Sequence, residues 1–193
     1  METLNAQAGS PIPLGATFYG NGVNFAVFSR NATRVTIEFY SNQDDTVPCS
    51  QFIFDPKLNK TGDVWHAFIP GIQKGALYLY RVDGPFEPSA GHRFNPKANL
   101  FDPYAKAITS TSLFYNLPPS YKPVMDKIDI NQMEERPNHL FPKCVVIDDN
   151  EFNWEGDRPI NRPLSESIIY EVHLKGFTAG KNACVEFPGT YAG

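Results

Sequence analysis

The sequence predicts a mainly β chain: an immunoglobulin-like antiparallel β-sandwich, then an irregular proline-rich connector, then the first strand of an incomplete (β/α)8 barrel. Three observations carry this. Apolar residues alternate with period two from about Pro13 to Asp83, and prolines crowd the stretch that follows. Near the end stands one apolar-rich run, Ile168-Ile169-Tyr170-Glu171-Val172-His173-Leu174.

In the first region Val23, Phe25 and Val27 alternate with Asn24 and Ala26, and Val35, Ile37 and Phe39 alternate with Thr36 and Glu38. Successive side chains on a strand point to opposite faces, so this pattern suits sheets buried on one side. Shorter runs follow at Gln51–Phe54, Val64–Ile69 and Ala76–Val82. Turn residues separate them: Gly20-Asn21-Gly22, Arg30-Asn31-Ala32, Asn42–Asp45, Asn59–Asp63 and Pro70-Gly71. Short strands with regular turn punctuation indicate a sandwich. No heptads and no repeat of fixed length interrupt it.

Pro85 to Ala107 is rich in Pro, Gly, Asn and aromatics, which predicts an ordered extended loop or short helix. Residues 108–163 carry Pro118, Pro119, Pro123, Pro137, Pro142, Pro159 and Pro163 around a single apolar run, Cys144–Ile147. Such a segment rarely builds a core alone and is expected to drape over a neighbouring domain. The domains expected are therefore a sandwich over 10–108, a connector over 109–163, and the start of a barrel over 164–193. A barrel needs roughly 250 residues, so its chemistry is expected beyond Gly193.

The 193 residues carry 17 basic and 21 acidic side chains, a net charge of −4, with no basic stripe to suit nucleic acid. No run approaches the length of a membrane span, and Met1 to Pro11 lacks the basic and apolar regions of a secretory signal. Cys49, Cys144 and Cys184 are odd in number and far apart, which suits a reducing compartment, the cytoplasm. The sequons at Asn31 and Asn59 are then chance matches.

Candidate chemistry is sparse. Asp44-Asp45, Glu134-Glu135 and Asp148-Asp149 are acidic pairs, and in such surroundings adjacent carboxylates serve as turn and capping groups. On a strand, Glu171, His173 and Lys175 would share one face; structural packing inside a closed barrel is the stronger assignment, and Lys175 to Thr178 would lie nearest a cleft. His66, His92, His139 and His173 show no metal-ligand spacing with each other or with the cysteines, so no metal and no cofactor are expected. No phosphate loop or nucleophile elbow occurs.

The order of motifs resembles the N-terminal third of isoamylase-type glycogen debranching enzymes, of glycoside hydrolase family 13 in the α-amylase superfamily. The matching residues are Pro13-Leu14-Gly15-Ala16-Thr17, Gly22-Val23-Asn24-Phe25-Ala26-Val27-Phe28-Ser29 and Ala32-Thr33-Arg34-Val35, then Val64-Trp65-His66 and Tyr80-Arg81-Val82-Asp83-Gly84-Pro85. Phe94-Asn95-Pro96 and Asp102-Pro103-Tyr104-Ala105-Lys106-Ala107-Ile108 follow, then Phe152-Asn153-Trp154-Glu155-Gly156-Asp157, the run from Ile169 to Thr178, and Pro188-Gly189-Thr190-Tyr191-Ala192-Gly193. The resemblance implies a family 48 carbohydrate-binding sandwich. It also implies a parent enzyme that cleaves α-1,6-glucosidic branches of glycogen or limit dextrin by a retaining mechanism. Its nucleophilic Asp, acid/base Glu and second Asp lie on later strands, so no catalytic residue is carried over. A stand-alone glucan-binding or regulatory module, or a fragment of a branching enzyme, pullulanase or trehalose-forming hydrolase, remains as an alternative.

An α-glucan partner would stack on aromatic rings and bond its hydroxyls to planar polar groups. Trp65, Tyr80, Arg81 and Phe86 are the candidate residues, with Tyr19, Asn95 and Lys97 nearby in the pattern. Burial in the core competes for Trp65, Tyr78 and Tyr80, because strand aromatics bury large areas. Stand-alone relatives of the family place a tryptophan in the loop that corresponds to Ser41–Val47, which has none. Phe86 stands where a second is common. The resemblance thus implies a sandwich that mainly braces the barrel.

Overall fold

Val23, Phe25 and Val27 project to one side of a seven-residue strand in the computed structural model, as the period-two pattern requires. The structure describes residues 2–109 and 142–193. It divides into a sandwich unit that ends at Phe152 and a second unit, Asn153–Gly193.

The sandwich strands are β1 (Glu2–Thr3), β2 (Gly15–Phe18), β3 (Gly22–Phe28), β4 (Arg34–Tyr40), β5 (Ser50–Ile53), β6 (Lys60–Thr61), β7 (Val64–Pro70) and β8 (Leu77–Asp83). Four short ones follow: β9 (Phe86–Glu87), β10 (His92–Arg93), β11 (Ala107–Ile108) and β12 (Cys144–Val145). One sheet runs β2-β3-β7-β6 and the other β1-β5-β4-β8-β12-β11, while β9 and β10 form a separate hairpin. The pairings are antiparallel except β1 with β5.

The core forms where the inner faces meet. Phe25 and Tyr78 touch edge-on at 5.1 Å between ring centres, and Phe25 and Phe39 at 5.6 Å. Val23, Phe25, Val35, Ile37, Ala67, Ile69 and Tyr78 are wholly buried. Burial of each large apolar side chain contributes about 1.5–3 kcal/mol.

The outer faces were expected to be polar and solvated, and much of them is not. On the smaller sheet Asn24 exchanges hydrogen bonds with the Ser10 backbone, donating at 2.9 Å and accepting at 2.7 Å. His66 Nδ1 lies 2.7 Å from the Ala8 carbonyl oxygen. Gly9 sits so close that a Cβ there would fall 2.5 Å from the Phe68 nitrogen. An N-terminal strap, residues 7–10, therefore covers this face. On the larger sheet Thr36, Glu38 and Tyr40 are buried together.

The segment around Cys144, assigned from sequence to a connector draped elsewhere, belongs to the sandwich. Cys144 pairs with Tyr78 and Val145 with Leu77. Lys143, Cys144 and Val146 are fully buried. A short apolar run that finds an open ladder edge on β8 satisfies its backbone there at less entropic cost than as a free loop. Beyond it Lys74 pairs with Glu151 and Lys106 with Asp149. The connector's Glu134-Glu135 pair, His139 and the prolines from Pro118 to Pro137 lie outside the described residues.

The second unit contains a 3₁₀ turn, Leu164–Glu166, and one short helix, α1 (Leu174–Thr178). The strand expected over Ile168–Leu174 is not formed. Ile168 is 99% exposed and pairs with no neighbour. A strand needs an adjacent ladder for its N–H and C=O groups, and this unit holds no other strand. The chain takes the local alternative: His173 caps α1, its Nδ1 accepting from the Gly176 N–H at 2.9 Å. Glu171, His173 and Lys175 consequently do not share a strand face.

Candidate functional site

β7 and β8 position the residues singled out for ligand contact, and their register decides which reach the surface. Trp65 falls on the inward phase of β7 with Ala67 and Ile69. It is 1% exposed, its indole N–H donates to the Ser29 carbonyl at 3.0 Å, and the Lys60 ammonium lies 4.7 Å from its ring centre. Tyr80 falls on the inward phase of β8, opposite Ile37, and is equally buried. Its hydroxyl has no partner among the described residues, and burial pushes its pKa well up. Neither ring can stack on a sugar. Both are core, because alternation sends them to the side that the facing sheet covers.

Arg81 takes the opposite phase. Its Nε lies 2.8 Å from Glu38 Oε1, a charge contact off the N–H direction, and its Nη1 donates to the Lys97 carbonyl at 3.4 Å. Its side chain is 26% exposed against 6% for Glu38, so part of the guanidinium reaches solvent. The Tyr40 hydroxyl donates to Glu38 Oε2 at 2.8 Å, and the Lys143 ammonium sits 4.7 Å from the Tyr40 ring centre. Burial foremost, then the Glu38 charge, raises the Tyr40 pKa; burial lowers that of Lys143. This polar layer of Glu38, Tyr40, Asn99 and Lys143 is not marked in the sequence by any motif. The β4–β8 register offered a signal for Glu38, which shares the outer face with Arg81; nothing local pointed to Lys143.

Asn95 and Lys97 join Arg81 through the loop after β10, where Asn95 Oδ1 accepts from the Lys97 N–H at 2.9 Å. Phe86, on β9, is half exposed. Of the four principal candidates, Arg81 and Phe86 remain at the surface, while Trp65 and Tyr80 are withdrawn. Tyr19 is also exposed, on the β2–β3 turn.

Several other ionisable groups hold local structure. Asp45 accepts from the Asn42 N–H at 2.8 Å within its turn, and Asp148 caps a 3₁₀ turn by accepting from Asn150 at 3.0 Å. Asp102 accepts from the Tyr78 hydroxyl and the Tyr104 N–H, each at 2.8 Å, and burial raises its carboxyl above the ordinary range. Burial also pushes the Cys144 thiol up to about 11. No group of three or more His, Cys, Asp or Glu suited to a metal ion occurs among the described residues. No described helix is long and apolar enough to cross a membrane.

Residues 13–105 match carbohydrate-binding module 48, the isoamylase N-terminal domain. The match lies within the sandwich unit. Similarity to curated proteins continues past it. The chain is 38% identical to isoamylase 1, chloroplastic, of Arabidopsis thaliana over 190 residues, 96% of this chain and 22% of that protein. It is 36% identical to the glycogen debranching enzyme of Yersinia enterocolitica over 201 residues, 100% of this chain and 27% of that one. The chain thus spans about a quarter of the length of these relatives. A pullulanase from Paenibacillus barengoltzii, solved with maltohexaose and alpha-cyclodextrin, superposes with a TM-score of 0.56 at 17% identity, over 94% of this chain and 22% of that one. SpuA, a multi-modular glycogen-degrading pneumococcal virulence factor, gives 0.54 at 15% identity, over 91% and 16%. These two likenesses concern the fold alone.

Proposed function

We propose that this chain is the N-terminal part of a debranching glycoside hydrolase that cleaves α-1,6-glucosidic linkages of glycogen or limit dextrin, with the catalytic carboxylates beyond Gly193. The supporting observation is that 36–38% identity to isoamylase and glycogen debranching enzymes covers 96–100% of the chain, well past the module's end at residue 105. A glucan-binding module alone would have no reason to keep that similarity through residues 153–193. Retaining hydrolysis needs a nucleophile and a proton donor about 5–5.5 Å apart. Asp44-Asp45 and Asp148-Asp149 are engaged in turns and ion pairs instead.

Within such an enzyme the module's role is chiefly to brace a barrel and shape the approach to its cleft. The burial of Trp65 and Tyr80 supports this, because it removes two of the stacking surfaces that a strong glucan site would use. Arg81 and Phe86 are left as edge contacts for the polymer. The cytoplasm is the proposed setting, in keeping with three cysteines that form no disulfide.

Two measurements test the reading. The chain incubated with glycogen or pullulan should release no reducing ends above a protein-free blank, and turnover would overturn the assignment of catalysis elsewhere. Calorimetric titration with a branched maltooligosaccharide should give binding no tighter than roughly 1 mM; submillimolar affinity would reject the bracing role.

A further inference from the structure

The β2–β3 turn carries an aromatic pair that neither the core nor the Arg81 edge uses. The Tyr19 N–H donates to the Gly22 carbonyl at 2.9 Å and closes a two-residue turn through Gly20, whose φ is +80°. Tyr19 is 56% exposed and meets Phe68 of β7 edge-on, ring centres 6.4 Å apart at 60°. Gly22 makes this seating possible. A Cβ there would lie 2.7 Å from Phe68 Cζ, so the Phe68 ring occupies the space that a side chain would fill. Tyr19 therefore leans on a ring that is itself wedged against backbone, which disfavours rotamers that would turn it into Phe68.

Planar amides flank the pair. Gln7 faces Phe68 across an isolated antiparallel bridge, its backbone exchanging hydrogen bonds of 2.8 and 3.1 Å, so the two side chains share one sheet face. Asn21 sits in the turn beside Tyr19, with its carbonyl accepting from the Gly71 N–H at 2.9 Å. Both residues are exposed. Apart from the tyrosine hydroxyl, none of Gln7, Tyr19, Asn21, Gly22 and Phe68 is ionisable.

We infer that Tyr19, held by Phe68 and flanked by Gln7 and Asn21, is a second stacking platform for a neutral polyhydroxylated ligand, an α-1,4-linked glucan segment. The inference rests on the α-glucan reading of the module, but it places contact on the smaller sheet, away from Arg81 and Phe86 on β8 and β9. A fixed tyrosine offers a large amphipathic face at small entropic cost, and the C–H face of a glucose ring suits the electron-rich face of the phenol. Uncharged amides bond hydroxyls without selecting for an ionic partner. One ring with two amides supports affinity of roughly millimolar order. On a branched polymer with many equivalent segments, effective concentration makes such a contact useful.

The test is an amide NMR titration of the whole chain with maltoheptaose. Saturable shifts are expected at Tyr19, Asn21, Phe68 and Gln7. Tyr19→Ala should weaken them about five- to tenfold, and Tyr19→Phe should keep most of the affinity. Leu58→Ala, at a side chain 67% exposed and outside both patches, should leave them unchanged. Shifts confined to the Phe86 and Arg81 region would overturn this platform while leaving α-glucan as the partner. Absence of shifts anywhere would overturn the platform together with direct glucan contact by the module. Neither result bears on hydrolysis, which the reducing-end assay addresses.

Discussion

Val146→Ala asks whether the segment after the connector is a working part of the sandwich. Val146 is fully buried in the main core cluster, its N–H donates to the Ala76 carbonyl at 3.0 Å, and its own carbonyl accepts from the Gly75 N–H at 2.8 Å. Truncation to alanine removes two carbons, worth about 1.6 kcal/mol at 0.8 kcal/mol per buried methylene. The cavity left behind adds roughly 1 kcal/mol. The expected loss is about 2–3 kcal/mol, a drop in Tm of roughly 6–15 °C for a unit of this size. Urea unfolding followed by tryptophan fluorescence measures it. The chain has two tryptophans, so a Trp154→Phe background leaves the buried Trp65 as the reporter of the sandwich alone. Ile168→Ala, at a side chain 99% exposed in the second unit, is the control and should move the midpoint by less than about 0.5 kcal/mol. A Val146→Ala loss as small as the control's, at unchanged m-value, would refute the claim that β12 completes the module's fold.

Arg81→Met should cost about 2–4 kcal/mol, because it leaves the Glu38 carboxylate buried with the Tyr40 hydroxyl as its remaining partner. In the Glu38→Gln background the same change should cost clearly less, and equal costs in both backgrounds would show that the pair is not coupled. Asp102 is held above its ordinary 3.8 by burial, so its favourable contribution is present in acid and fades as pH rises through the folded value. Asp102→Asn should accordingly gain stability relative to the parent as pH rises above about 4, and a pH-independent difference by urea melts would contradict it. Gly22→Ala should cost about 1–3 kcal/mol, since its Cβ would meet Ile69 and Pro70 backbone atoms at 2.6 and 2.9 Å. Gly20→Ala, with open space but a positive φ, should cost nearer 1 kcal/mol; the reverse order would show that φ strain dominates the turn.

The strands legible in the sequence were those with clear alternation and a turn at each end. The runs read from Val23, Val35, Val64 and Ala76 correspond to β3, β4, β7 and β8 within one or two residues. The two-residue strands β9, β10, β11 and β12 were not legible. At that length period two has no room to appear, and such strands exist because a neighbour's ladder edge is open. The opposite failure is Ile168–Leu174, where the composition of a strand is present and the ladder is not. Composition proposes a strand, and a partner within hydrogen-bonding reach decides it.

The same distinction explains why two candidate site residues were withdrawn and a polar layer was missed. Alternation shows which side chains share a face; it cannot say which face is covered when both are. β4 is buried on both faces, so Glu38 and Tyr40 are as enclosed as Ile37 and Phe39. Trp65 and Tyr80, each one step along from a polar neighbour, had a claim on the surface as well as a stronger one on the core, and the facing sheet decides between them. What settles the matter is long-range: Ser10 against Asn24, Asn99 against Tyr40, and Lys143 over the Tyr40 ring. Each cover comes from a segment that itself lacks a periodic pattern. A sandwich that encloses its outer sheet faces in this way has turns and short hairpins on which aromatic rings can stay exposed. The exposed aromatics Tyr19 and Phe86 are found there, on the β2–β3 turn and the β9–β10 hairpin.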